Sequence, residues 1–360
     1  MKLNDLDAMF PAYAAAGVSM ELISAPGRGK STKVRQLVKQ MSAITGEEWG
    51  YADLFLATQT PPDLMGFQFK GEVTYEGKTF AITDPTAPTW FITETGLPVF
   101  AYERGIMFLD EFGQGQTDVK AAAAELLLNK RIGKWKLPDG WIVVAASNRT
   151  SDRSGVTKSL DFVINRRMEI HLTDDLQSWL DWADTTEMLP LTKAFAAQNP
   201  QIVFTEGVPD KQGPWCTPRS LEMADKVIRA MQVTNGGKLR VDALAVESVA
   251  GLVGQAAAAQ YFAFIRLENE LPKYDAIVKD PSGTKIPEKP DAQMLLCYNL
   301  AHLVTAKDAE KVIEYVQRLP KDFSVTFVKT ACQREPMLIT KPGFMKWVGQ
   351  NAALLAVVGK

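Results

Sequence analysis

The stretch Ser24-Ala25-Pro26-Gly27-Arg28-Gly29-Lys30-Ser31, followed by Thr32, decides how this chain is read. It matches the pattern GxxxxGK(S/T) at every defined position except the first, where Ser24 stands in place of glycine. Glycines in such a loop let the backbone approach phosphates. Successive N–H groups and the N-terminus of the next helix then hold the negative charge. In this pattern Lys30 reaches the β- and γ-phosphates and the Ser31 hydroxyl ligates Mg2+. The flanks agree, because residues 20–23 form a short apolar run and residues 33–44 have helical spacing. An ordinary glycine turn before a helix is the competing reading, and the strand–loop–helix order argues against it.

Working outward, Gly105-Ile106-Met107-Phe108-Leu109-Asp110-Glu111 reads as an apolar strand ending in two carboxylates. In a phosphate-loop protein that places Asp110 at the C-terminal end of a central strand. There Asp110 holds Mg2+ through water, and Glu111 orients and deprotonates an attacking water. Alone, an apolar run before Asp-Glu marks only a strand end. Residues 142–146 form another apolar strand leading to Ser147-Asn148, where Asn148 is placed either to position that water or simply to form a turn. Asn165-Arg166-Arg167 closes the following segment, read as helical. An arginine there acts on another subunit's nucleotide, or is a solvated basic pair.

Taken together, these residues resemble an AAA+ ATPase and, in detail, the MoxR branch. The Walker A motif is SAPGRGKS and the Walker B motif IMFLDE. On this resemblance Asn148 is sensor 1, Arg166 in VINRRMEI the arginine finger, and Arg219 in CTPRSLEMA sensor 2. PPDLMG (61–66) and FLDEFGQGQTDVKAAAAELLLNKRI are similar to further MoxR segments, and Arg153 is a second interface arginine candidate. The pattern departs at Ser24, and again at Arg167, where an aromatic or apolar residue is usual. Arg166 and Arg167 therefore exchange as candidates.

The resemblance, which spans residues 1–235, implies an α/β fold with a P-loop AAA+ core of parallel sheet and helices on both faces. The core would occupy 1–173, with inserts at 66–100 and 131–141. A helical lid carrying sensor 2 would fill 174–235, and an additional α-helical domain 236–360. It implies ATP and Mg2+ as cofactors. It implies a homo-oligomeric ring, a hexamer, with Lys30, Asp110, Glu111 and Asn148 from one chain and Arg166 from the next. The client would be a protein, in this family often one with a von Willebrand A domain. Phe67, Phe69 and Trp135 are candidate partner contacts, or aromatics of the chain's own core. A DNA motor or loader is the alternative, with Lys70, Lys78, Lys130, Arg131, Lys134 and Lys136 as its basic surface.

Composition narrows the classes further. The 360 residues are 46% hydrophobic and 23% charged, which excludes wholesale disorder and low-complexity repeats. Forty basic and 42 acidic residues leave a net charge of −2, so no global basic field attracts nucleic acid. Cys216, Cys297 and Cys332 are far apart, and with only His171 and His302 beside them neither a zinc site nor a disulfide framework is expected. That count suits a reducing cytoplasm. The first residues carry two Asp and no long apolar core, unlike a signal peptide, and no run is long enough for a membrane span. Beyond 235 the chain reads as helices at 241–271, 292–305, 307–318 and 343–356, with a loop at 280–291. Similar tails occur on MoxR-like proteins of phage and bacterial genomes.

Overall fold

Five parallel strands carry the N-terminal half, in the spatial order β2-β5-β8-β1-β9. They are β1 (Met20–Ser24), β2 (Trp49–Phe55), β5 (Arg104–Asp110), β8 (Gly140–Asn148) and β9 (Met168–His171). The computed structural model describes residues 1–152, 164–165, 167–205, 207–209 and 212–358. Two compact units divide at Asp175, Met1–Asp175 and Leu176–Lys360.

The sheet is buried on both faces, as runs of alternating contacts on β8 show. Ile142, Val144 and Ala146 point to one face, where they meet Leu6 and Phe10 of α1 (Asp5–Ala16) and Val34, Leu37 and Met41 of α2 (Lys30–Thr45). Val143 and Ala145 point to the other face. There they join Val119, Ala123, Leu126 and Leu127 of α4 (Thr117–Asn129). Each large side chain buried in this way contributes about 1.5–3 kcal/mol. The fold class is thus a P-loop α/β core with helices on both faces, followed by a helical unit.

The insert between β2 and β5 begins with α3 (Pro61–Met65), capped by a reciprocal Thr60–Asp63 box. Gly66 then turns with φ +85, and a Cβ there would lie 1.9 Å from the Thr86 carbonyl oxygen. Thr86 in turn closes the base of a ribbon, β3 (Gln68–Tyr75) and β4 (Lys78–Pro85), by accepting from the Phe67 N–H at 3.0 Å. The ribbon turns at Glu76 and Gly77, both with positive φ, as a two-residue hairpin requires. β6 (Arg131–Ile132) and β7 (Trp135–Lys136) form the second small hairpin.

Three sequence expectations are corrected here. Residues 54–57 read from the sequence alone as a strand, but the strand lies earlier, at β2, and residues 56–58 form a 3-10 turn. Gly50 carries that shift: a Cβ there would come 2.7 Å from the Trp141 ring, so the sheet needs a residue the strand pattern does not reward. No strand was expected at β9: MEIH alternates apolar and polar, but over four residues only, too short a run to stand out. The helix Lys321–Arg334 was also missed, since its Val, Thr and Phe content lowers helix propensity while Val325, Phe327, Val328 and Ala331 are buried.

The second unit is helical. Helices α5 (Leu176–Asp184), α6 (Pro190–Gln198), α7 (Pro200–Val203), α8 (Pro218–Thr234), α9 (Ala243–Val253) and α10 (Gln255–Arg266) contribute to one core. Thus α8 and α9, on either side of the boundary expected at 235, share it. A second cluster joins α11 (Tyr274–Lys279), α12 (Pro290–Leu303), α13 (Ala309–Val316), α14 (Lys321–Arg334) and α15 (Pro342–Val358). Among the described residues no helix is long and apolar enough to cross a membrane.

Candidate functional site

Because the five strands run parallel, their C-terminal ends gather at one edge of the sheet, where ligands of such sheets bind. Ser24 is the last residue of β1 and pairs in register with Asn148, the last of β8. Asp110 ends β5, on the other side of β8. The loop after β1 and the ends of β8 and β5 therefore stand side by side, although 118 residues separate Lys30 from Asn148.

Gly27 and Gly29 both take the left-handed conformation, φ 72 and 83, which a residue with a side chain adopts at a cost. Gly29 caps α2, and Lys30 opens it. Ser24, in place of the usual glycine, remains within β1, so the departure from the pattern demands no special backbone. Its hydroxyl accepts from Lys30 Nζ at 3.1 Å. Lys30 also donates to the Ser24 and Ala25 carbonyls, both at 3.3 Å, and to Asn148 Oδ1 at 3.0 Å. Pro26 lies between Ala25 and Gly27 at the half-buried loop crest. Arg28 pairs with Asp174 at 2.9 Å, which ties the loop to the chain after β9. Thr32 is exposed on α2.

The carboxylate side is equally connected. Ser31 Oγ donates to Asp110 Oδ2 at 2.8 Å. Asp110 Oδ1 accepts the Glu111 backbone N–H at 3.0 Å. Glu111 itself has φ 52 and ψ 39, a strained conformation for a residue other than glycine. Asn148 Nδ2 donates to Glu111 Oε2 at 3.1 Å. Asn148 thus touches Lys30 with one end of its amide and Glu111 with the other. Among the described residues no group of three or more His, Cys, Asp or Glu side chains converges as a metal cage. A hydroxyl and one carboxylate 2.8 Å apart instead suit a cation that keeps most of its water and shares phosphate oxygens, as Mg2+ does.

The arginines divide differently from expectation. Arg153 and Arg166 lie outside the described residues. Arg167 does not exchange with Arg166 as an interface arginine: its side chain is 1% exposed and pairs with Glu21 and Glu169 of its own chain. Arg219 stands exposed in the first turn of α8, behind the N-cap Thr217, in the second unit. Of the aromatics, Phe67 and Phe69 are exposed. Trp135 packs on Phe91 at 5.0 Å between ring centres.

Sequence reading missed Glu21, a buried acid in β1 beneath the loop. The one available signal was a carboxylate in an otherwise apolar strand, MELIS, where a charge is retained only with a partner.

No protein family description matches this sequence, and no curated protein matches it. Solved structures resemble parts of it. A RuvB mutant of Thermotoga maritima aligns at 14% identity and TM-score 0.36, covering 77% of this chain and 74% of that one. NtrX of Brucella abortus aligns at 14% and 0.34, covering 100% and 68%. Hsp104 in a closed state with ATPγS and casein aligns at 14% and 0.32, covering 60% and 39%. At such low scores these likenesses carry no weight for this chain. Its own geometry defines a P-loop α/β core with a phosphate-type loop facing two carboxylates.

Proposed function

We propose that this chain is an AAA+ ATPase of MoxR type, which hydrolyses ATP between the subunits of a ring to remodel a partner protein. The observation that carries the reading is Asn148, bridging Lys30 at 3.0 Å and Glu111 at 3.1 Å. One side chain thereby senses both the group that meets the γ-phosphate and the group that meets water. The loop amides from Gly27 to Ser31 and the start of α2 would hold the phosphates. Lys30 would exchange its carbonyl contacts for phosphate oxygens. Ser31 and Asp110 would hold Mg2+, which supplies neutralisation of the phosphate charge. Glu111 accepts the proton of the attacking water and Asn148 holds that water in line.

Arg166 is proposed to act on the neighbouring subunit's nucleotide, and Arg219 to report nucleotide state from the helical unit. The exposed ribbon, with Phe67 and Phe69 near its base, is proposed to meet the client, for which a von Willebrand A-domain protein is one candidate. In this reading the lid at 174–235 carries Arg219, and the domain at 236–360 serves ring assembly or docking. The alternative, a DNA motor, loses support from the ion pairs. Arg131 pairs with Glu125, Lys134 with Asp84 and Lys136 with Asp139, while Lys130 donates to the Asp139 carbonyl.

The test is capture by the Glu111→Gln variant from lysate of the source cell, with and without Mg-ATP. A specific protein retained only with ATP supports the remodeller. Nuclease-sensitive nucleic acid retained instead overturns it in favour of the motor.

A further inference from the structure

Beneath the site lies a connected set of buried charges that the chemistry above does not use. Glu21 on β1 and Arg167, the residue before β9, form an ion pair with side chains 3% and 1% exposed. Arg167 also donates to Glu169 on β9 at 2.8 Å. The second oxygen of Glu21 accepts from the Ser147 hydroxyl. That hydroxyl accepts the Gly113 backbone N–H at 2.9 Å. The Gly113 carbonyl accepts from Lys120 Nζ of α4 at 3.2 Å, and Lys120 is buried as well. Burial holds its ammonium below the usual range, and the Glu21 charge opposes that fall.

Each anchor of this relay abuts a residue of the site. Ser147 precedes Asn148, Gly113 follows Glu111 by two positions, and Arg167 follows Arg166. Stability alone is a weak reason for such a relay, because well-packed apolar residues often replace a buried ion pair without loss. A stronger reason lies in Glu111. Its left-handed backbone persists only where the surroundings over-determine it. The Gly113 N–H bond to Ser147 is what ties down the turn that follows.

We propose that Glu21 is a positioning residue: through Ser147 it holds the Glu111–Gly113 turn in the geometry that hydrolysis needs, and through Arg167 it locks the chain after Arg166 to the same strand. The proposal rests on the ATPase reading for its consequence, but its structural half stands apart from activity.

Ser147→Ala tests it, since alanine fits the space and removes only the hydroxyl between Glu21 and Gly113. Three readouts are taken on the full chain: Kd for a fluorescent ATP analogue, steady-state kcat and KM, and amide exchange by mass spectrometry. The expected result is an unchanged Kd and KM, kcat lower by about tenfold or more, and faster exchange across residues 111–115. Exchange in β1 and α2 stays at the wild-type rate, as does the thermal midpoint to within a few degrees. Wild-type exchange at 111–115 overturns the relay whatever the activity. Faster exchange with wild-type kcat overturns the positioning role and leaves the ATPase reading standing. A wild-type protein that hydrolyses no ATP overturns the ATPase reading, and exchange alone then decides the relay. Arg167→Lys, which keeps the charge against Glu21, is expected to recover most of the kcat that Arg167→Ala loses; equal loss in both counts against the second arm.

Discussion

Lys30 Nζ lies 3.0 Å from Asn148 Oδ1, so the helix that follows the phosphate-type loop is joined to the end of the neighbouring strand. The same amide reaches Glu111 from its nitrogen. In the proposed reading the groups for binding and for hydrolysis therefore share one side chain, and substitution is expected to separate them.

Lys30→Ala removes the ammonium that would face the β- and γ-phosphates. Nucleotide affinity is expected to fall by about ten- to a hundredfold, as loss of a charge-assisted contact of about 1.5–3 kcal/mol implies. Titration with a fluorescent ATP analogue measures this. Unchanged affinity would remove the loop from the binding site.

Glu111→Gln keeps the shape and the hydrogen bond from Asn148 but cannot take a proton. ATP binding is expected to persist while turnover drops by about 10²–10⁴-fold. A phosphate-release assay at saturating ATP reads the outcome, and near-normal turnover would disqualify Glu111 as the base.

The two neighbouring arginines should behave in opposite ways. Mixing Lys30→Ala chains with Arg166→Ala chains is expected to restore part of the activity, because intact loops then meet intact arginines across an interface. Arg167→Ala instead leaves Glu21 buried without its partner. It is expected to destabilise the fold by about 3–5 kcal/mol, seen as a lower thermal midpoint, and to be rescued by no mixture.

Thiol reactivity offers a test of the helical unit. Cys297 is fully buried, and burial pushes its thiol well above the usual range. Cys332 is half-buried, with a smaller rise from the same cause. Alkylation of the native protein at pH 8, followed by mass spectrometry, is expected to label Cys332 first and Cys297 only after unfolding. Early labelling of Cys297 would contradict the packing of α12.

Much of the site was legible in the sequence because its residues are fixed by chemistry at short range. The loop from Ser24 to Ser31 announces itself by glycine spacing, and Asp110-Glu111 by the apolar run before it. β9 and α14 were not legible. Their local preferences are weak or contrary, and burial against distant elements overrides them. The place of Arg167 was not legible for a related reason: adjacent arginines look equivalent until one of them is found against a buried acid.

By itself, then, the sequence determined the loop, the acidic strand end and the alternation of strands with helices, since each depends on neighbours along the chain. Tertiary structure alone decided that Asn148 stands between Lys30 and Glu111. It alone decided that Glu21 gathers Ser147 and Arg167 beneath them. Those contacts span 37 to 146 residues. They exist because strand order places β8 between β5 and β1, an arrangement set by packing two apolar faces at once, which no local pattern encodes.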